Sequence, residues 1–279
     1  MNSAPPLPGT VRVAAVQMVS TPRVADNLEA AARLIDQAAG TGAKLVALPE
    51  YFCLMGLRDT DKVAVREALG HGPIQDFLAA QALRHGIWLV GGTLPLEAPE
   101  ADRVLNSSLV FDPAGQRVAR YDKVHLFRFT RGAESYDEAV TIAPGRGVAG
   151  FTLNPPGGPA LKVGLSVCYD LRFPELYRAM AQPDLILVPA AFTATTGRAH
   201  WETLLRARAI ENLCYVLAPA QGGRHENGRA TFGHSMLIGP WGDVISDRPE
   251  GPGVVFGDVD PQVIAQCRAS LPALAHRVM

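Results

Sequence analysis

A cysteine, a glutamate and a lysine, each placed where an apolar run gives way to a turn, are the residues of this 279-residue chain best suited to covalent chemistry. Cys168 ends the apolar run 162–167 and precedes the polar stretch Tyr169-Asp170-Leu171-Arg172. A thiol at a strand's exit, where the next backbone amides open towards a cleft, is placed as a nucleophile would be. Taken alone, such a cysteine is more often a small buried apolar residue. A thiol nucleophile also requires a base for its proton, and a cation or N–H donors for the oxyanion that forms as an acyl carbon becomes tetrahedral. Glu50, directly after Leu48-Pro49, and Lys123, after the run 116–121, supply those residue types at strand ends of their own. Each by itself is usually a solvated loop charge. The joint pattern carries the argument.

Other chemistries lack their marks. There is no G-x-x-x-x-G-K-[ST] phosphate loop, no H-E-x-x-H, no zinc-type cysteine and histidine spacing and no G-x-G-x-x-G after the first strand. The run Gly164-Leu165-Ser166-Val167-Cys168 is the nearest approach to a serine nucleophile elbow and does not match one. No metal or organic cofactor is called for.

The elements that must position these residues follow from pattern. Residues 11–18 are rich in β-branched side chains, and 24–39 then place Leu28, Ala31, Ile35 and Ala38 on one helical face before Gly40 and Gly42. A short strand over 44–48, a helix over 73–84 closed by Gly86 and a strand over 87–90 repeat the alternation. Runs 106–111 and 116–121, joined by Asp112-Pro113-Ala114-Gly115, predict an antiparallel hairpin. Strands are expected over 161–167, 185–188 and 215–220, a helix over 199–212, a second hairpin over 234–246 and a last strand over 253–259. Strand-helix alternation mixed with hairpins argues for two sheets packed face to face with helices outside, a four-layer αββα sandwich. Segments 104–109 and 149–161 read as the loosest.

Composition bounds the partners. Apolar residues make 48% and charged residues 19%, with 26 Lys and Arg against 27 Asp and Glu for a net charge of -1. No overall field draws nucleic acid or anionic lipid. The apolar run 185–192 contains Pro189 and falls far short of the roughly 20 residues of a membrane helix. Residues 1–10 carry three prolines and no apolar signal core, which predicts a disordered lead-in to a cytoplasmic protein, followed by one domain over 11–279. Cys53, Cys168, Cys214 and Cys267 are far apart and read as free thiols.

Three segments resemble the signatures of the nitrilase superfamily of carbon-nitrogen hydrolases: Leu48-Pro49-Glu50, Tyr121-Asp122-Lys123-Val124-His125-Leu126-Phe127, and Gly164-Leu165-Ser166-Val167-Cys168-Tyr169-Asp170-Leu171-Arg172-Phe173-Pro174-Glu175. Their order and spacing fit, and the resemblance runs over 11–276. It implies a triad with Glu50 as general base, Cys168 as nucleophile and Lys123 as the cation of the tetrahedral intermediate, aided by the Tyr169 N–H. A thioester hydrolysed with Glu50 acting again as base would follow. The resemblance also implies a second glutamate about fifteen residues after the lysine: Glu138, in Glu138-Ala139-Val140-Thr141-Ile142-Ala143-Pro144-Gly145, with Glu134 as its rival. Arg128 and Ala139 depart from the family's commoner Asp and Ser.

Tyr169-Asp170 after the nucleophile, where nitrilases have Trp-Glu, resembles the amidase branches. Residues 191–202, 204–212, 222–225 and 232–236 are similar to the Nit branch. That implies hydrolysis of a small amide, with deaminated glutathione giving 2-oxoglutarate and cysteinylglycine as the first expectation. The rivals are 2-oxoglutaramate, an ω-amidase substrate, and a catalytically silent scaffold. Arg172, Arg198 or Arg224 could grip a substrate carboxylate or be surface charges. Thr193 and Thr196 could line the pocket or bond within their loop. No histidine is given a catalytic role. The resemblance implies a homodimer or larger homo-oligomer through 172–180 and the helix after His200.

Overall fold

Every residue of β1 (Val11–Gln17) is buried, because both faces of the strand are covered. Val11, Val13 and Ala15 face a second sheet, whereas Ala14 and Val16 face helices. The computed structural model that shows this describes residues 5–132 and 134–278. Of the expected lead-in, residues 1–4 lie outside the described residues, and 5–10 form neither helix nor strand.

Helix α1 (Val24–Gly40) lays Ala31, Leu34, Ile35 and Ala38 on the first sheet, and the chain returns as β2 (Leu45–Ala47), parallel to β1. A short turn of helix, α2 (Asp61–Ala64), precedes α3 (Pro73–His85), which starts on proline and stops at Gly86, left-handed at φ 61°. Strands β3 (Trp88–Val90), β4 (Leu94–Glu97), β5 (Val104–Phe111) and β6 (Arg117–Asp122) complete most of this sheet. The β5–β6 hairpin turns as expected, with the Gly115 N–H donating to the Asp112 carbonyl at 2.9 Å. Segment 104–109, read as loose, is instead the start of β5, which pairs with β3 and β4 on one side and with β6 and the short strand Ile142–Ala143 on the other. The predicted hairpin strand 106–111 thus begins two residues earlier and is buried by its neighbours rather than by its own composition.

A small hairpin, β7 (Arg128–Arg131) with β8 (Glu134–Asp137), leads to β9 (Ile142–Ala143). The second sheet is β10 (Ala149–Leu153), β11 (Leu161–Leu165), β12 (Leu185–Leu187) and β13 (Tyr215–Ala218), with β11 to β13 parallel. Helix α4 (Pro174–Ala179) follows β11, and α5 (Ala194–Asn212) follows β12. Five residues earlier than its pattern predicted, α5 begins where the Thr193 hydroxyl accepts the Thr196 N–H at 3.2 Å, a cap that outweighs the low helix propensity of two threonines and Gly197. The hairpin β14 (Gly222–Arg224) with β15 (Ala230–Phe232) precedes β16 (Ser235–Ile238) and β17 (Val244–Arg248), which finish the second sheet. Finally β18 (Gly253–Val259) crosses back to pair antiparallel with β1, and α6 (Pro261–Ser270) follows, capped by Asp260.

The layers are therefore α1 and α3, first sheet, second sheet, α4 and α5, matching the expected αββα sandwich. Leu45, Ala47, Val90 and Val110 pack between the sheets with Val163, Leu165 and Leu187, while Leu205 and Ala209 of α5 extend the same core outward. This places the carboxyl ends of β2, β11 and β12 together.

Gly92 secures that end. It sits at φ 50°, and a Cβ there would lie 2.0 Å from the Pro49 carbonyl oxygen. Gly92→Ala is expected to destabilise the fold by about 2–4 kcal/mol through left-handed strain plus backbone displacement. Because the displaced peptide precedes Glu50, turnover should fall as well; a wild-type denaturation midpoint would contradict this packing.

Candidate active site

Glu50 stands three residues beyond β2, Cys168 three beyond β11, and Ala191 four beyond β12, so two sheets deliver the site jointly. Lys123 follows β6, with its N–H held by the Asn106 carbonyl at 3.0 Å. Two backbones are left-handed here: Tyr51 at φ 57° and Cys168 at φ 50°. Each non-glycine residue so placed costs about 1–3 kcal/mol unless its surroundings enforce it. For Cys168 the enforcement is visible: its N–H donates to the Pro189 carbonyl at 2.9 Å, and the Asp170 carboxylate accepts the Val167 N–H at 2.9 Å.

Lys123 and Glu50 are completely buried and in contact, Nζ to Oε1 at 2.8 Å. The same Oε1 accepts from Asn106 Nδ2 at 3.0 Å, and Oε2 accepts the Ala191 N–H at 2.9 Å. On its other side Lys123 Nζ reaches the Glu138 carboxylate at 2.8 Å, and Glu138 also accepts from the Tyr51 hydroxyl and the Phe127 N–H, both at 2.7 Å. Cys168, 6% exposed, sits close enough for the charges of Glu50 and Lys123 to act on its thiol. Three expected residues thus meet, and Glu138 rather than Glu134 joins them. Glu134 accepts from the Thr195 hydroxyl in an outer cleft.

Comparison with known proteins bears directly on this geometry. The carbon-nitrogen hydrolase family profile matches residues 12–269. The chain belongs to the carbon-nitrogen hydrolase family. A deaminated glutathione amidase from Synechocystis is 42% identical over 95% of this chain and 97% of its own. The crystal structure of Saccharomyces cerevisiae Nit3, a member of branch 10 of the nitrilase superfamily, superposes with a TM-score of 0.83 at 30% identity, covering 97% of each chain. The C. elegans NitFhit structure gives 0.85 at 35% identity over all of this chain and 66% of that longer one. This is a hydrolase of carbon-nitrogen bonds other than peptide bonds.

Electrostatics of the hydrolase's cluster are dominated by burial. Burial pushes the Cys168 thiol well above the ordinary cysteine range, the Glu50 charge adds to this, and Lys123 opposes both without prevailing. The resting nucleophile is therefore a thiol, not a preformed thiolate. For Lys123 burial works against the charge, but Glu138 and Glu50 overcome it and hold the ammonium above its usual range. Against its own desolvation, Glu138 is held below the usual carboxylate range, chiefly by Lys123. A buried ion triad of this kind survives because every member is paired.

A narrow cavity opens on Cys168, lined by Phe127, Glu138, Tyr169, Phe192, Thr193, Thr196 and Arg229. Thr193 and Thr196 both line it, and their hydroxyls bond each other at 2.9 Å, so both sequence readings apply. The Tyr169 ring packs edge-on to Phe127 at 5.2 Å. Arg172 stands outside the cavity, its guanidinium 5.7 Å from the Tyr169 ring centroid and 5.4 Å from that of Phe192, with Nη1 3.3 Å from His200 Nδ1. Arg198 and Arg224 are exposed in the outer cleft. The arginine that enters the cavity is Arg229, from the β14–β15 turn, which carried no sequence signal.

Two further residues escaped the sequence. Asn106, buried in β5, fixes Glu50; a polar residue inside an otherwise apolar strand was the available clue. Asp170 accepts from the Tyr121 hydroxyl at 2.8 Å and from His125 N–H and Nδ1 at 3.0 and 2.7 Å, tying the lysine and cysteine loops together. His125 thus orders the loop beside Lys123. Arg128 lies 3.5 Å from Asp137 across the β7–β8 hairpin.

Buried His225 braces the wall behind Glu50, bonding the Ser20 carbonyl and the Thr231 hydroxyl, both at 2.9 Å. Burial lowers its pKa from 6.5. The folded state thus binds fewer protons than the unfolded state, so this group's contribution is complete above pH 6.5 and is lost as pH falls through the depressed folded value. Denaturant midpoints between pH 7.5 and 5.5 should decline for wild type, and less steeply for His225→Asn; equal slopes would exclude the assignment.

Proposed function

We propose that the chain is a cysteine amidase that cleaves deaminated glutathione into 2-oxoglutarate and cysteinylglycine. The observation that carries the proposal is a buried Glu50–Lys123 pair beside a thiol kept protonated by burial. Glu50 takes the thiol proton as sulfur attacks the amide carbon, so charge appears on the carbonyl oxygen only as the S–C bond forms. That oxygen is received by Lys123 Nζ and by the Tyr169 N–H, which has no acceptor among the described residues because it lies in the first turn of the 3₁₀ helix Cys168–Arg172. Glu50 returns its proton to the departing amine as the C–N bond breaks. Water then attacks the thioester, giving its proton to Glu50, and the thiol is restored. Glu138, Asn106 and the Ala191 N–H keep Lys123 and Glu50 oriented between the two half-reactions.

The substrate assignment draws on relatives from cyanobacterium to mammal at 38–42% identity that bear the deaminated glutathione amidase name. We infer also that the enzyme is cytoplasmic, acts as a homodimer or larger homo-oligomer and folds as one domain over 11–279, with subunit count to be read by sedimentation. Among the described residues no helix is long and apolar enough to cross a membrane.

The test measures cysteinylglycine release from deaminated glutathione beside ammonia release from 2-oxoglutaramate. A higher kcat/KM for deaminated glutathione is expected. Preference for 2-oxoglutaramate would make the enzyme an ω-amidase, and turnover of neither would remove the substrate assignment.

A further inference from the structure

Beyond the Cys168 cavity, past Phe127, Glu138 and Arg229, lies a second, partly open cleft that no step of the mechanism uses. Two cations line it with donors to spare. Lys62, its side chain 16% exposed, bonds the Thr141 hydroxyl at 3.1 Å and lies 3.8 Å from Asp59, itself 79% exposed. Arg229 gives Nη2 to the Ala191 carbonyl at 2.9 Å and rests 5.1 Å from the Tyr136 ring centroid, while its buried Nε has no hydrogen-bond partner. Burial is also the leading influence on Lys62, lowering its pKa in spite of Asp59 and Glu138. The remaining charges here are engaged: Glu138 by Lys123, Asp137 by Arg128 and the Ala139 N–H, and Arg58 by Asp61. Arg229 and Lys62 both line this cleft with more donors than the acceptors around them satisfy, a shortage that an anion would fill.

We propose that Lys62 and Arg229 form the seat for the carboxylate at the far end of the substrate's acyl group, the 2-oxo acid end of a 2-oxoglutaryl amide. The proposal rests on the amidase reading above and deepens it. An acyl group must stay enclosed while the thioester waits for water, whereas the amine half must leave. Arg229 borders the Cys168 cavity, the Lys62 cleft and the outer cleft with Arg198 and Arg224, so the acyl half is assigned to the Lys62 side and the amine half to the outer side. Specificity for a charged acyl chain then comes from two cations that a neutral chain would leave unpaired.

The experiment compares kcat/KM for 2-oxoglutaramate with that for 4-oxopentanamide, which has a methyl group in place of the carboxylate, in wild type, Lys62→Met and Arg229→Gln. Calorimetry of 2-oxoglutarate against 4-oxopentanoate provides a second measure that needs no turnover. Arg229 also braces Ala191, so the Lys62 variant separates charge recognition from damage to the triad. The preference for the charged member should fall by at least about 30-fold in each variant, the loss that removing one partner of a buried charge pair brings. A preference that survives either substitution, or is missing from wild type, overturns the subsite. Should wild type turn over neither 2-oxoglutaramate nor deaminated glutathione yet bind 2-oxoglutarate in a manner lost in both variants, the substrate assignment fails and the subsite stands.

Discussion

Cys168→Ala is expected to lower amide turnover by about 10⁴-fold or more while leaving the chain folded. The size of the loss follows from the mechanism: without sulfur no acyl-enzyme forms, and water must attack an amide unaided by the covalent route. Retention of the fold follows from backbone geometry. Cysteine and alanine both carry a Cβ, so the strain at φ 50° is already present in wild type and the substitution adds none. The bonds that impose this conformation, Cys168 N–H to Pro189 and Val167 N–H to Asp170, do not involve the thiol. Steady-state rates and a thermal midpoint, measured together, check both halves. A variant within tenfold of wild-type turnover would remove Cys168 from the mechanism.

Lys123→Met should damage stability and catalysis at once. Methionine fills much the same volume but leaves Glu50 and Glu138 facing each other in a buried site, and breaking a buried ionic cluster this way costs about 3–5 kcal/mol. Turnover should fall about 10³-fold or more, since the donor to the oxyanion and the group orienting Glu50 are both lost. The pH dependence identifies the cause. In wild type Glu138 is held below the ordinary value of 4.5 by Lys123 against its own desolvation. With the lysine gone, burial is opposed by the Tyr51 hydroxyl and the Phe127 N–H but no longer by an ammonium, so the folded-state pKa rises and the variant gains stability relative to wild type as pH falls towards 4.5. Urea midpoints at pH 7.5 and 5.0 should therefore converge. A gap independent of pH would mean that lost packing, rather than uncompensated charge, explains the cost.

The parts of this site that were legible in the sequence are those fixed by local rules. Glu50 and Cys168 announce themselves because apolar runs end at them, and Lys123 because a hairpin with a proline-glycine turn delivers it. The alternation of 11–48 and the hairpins were likewise readable, and their combination gave the two-sheet architecture. What stayed hidden depends on tertiary pairing. Asn106 lies in a strand that the hairpin pattern predicted, yet it finds its partner in Glu50, 56 positions earlier, where no local rule points. The α6 helix was missed because its apolar face is reduced to one buried side chain, Ile264. The choice among arginines was unreadable for a related reason. Arg172 adjoins the nucleophile in sequence but stacks outside the cavity, whereas Arg229 comes from a turn whose position depends on β14, β15 and the Ala191 carbonyl.

The central claim, acyl transfer to Cys168, is tested most directly by intact-mass and peptide analysis of enzyme mixed with deaminated glutathione and quenched in acid within one turnover. The account predicts a transient mass increase of one 2-oxoglutaryl group, confined to the peptide containing Cys168 and abolished in Cys168→Ala. Product release without any such adduct, or an adduct on another residue that decays at the rate of turnover, would contradict it.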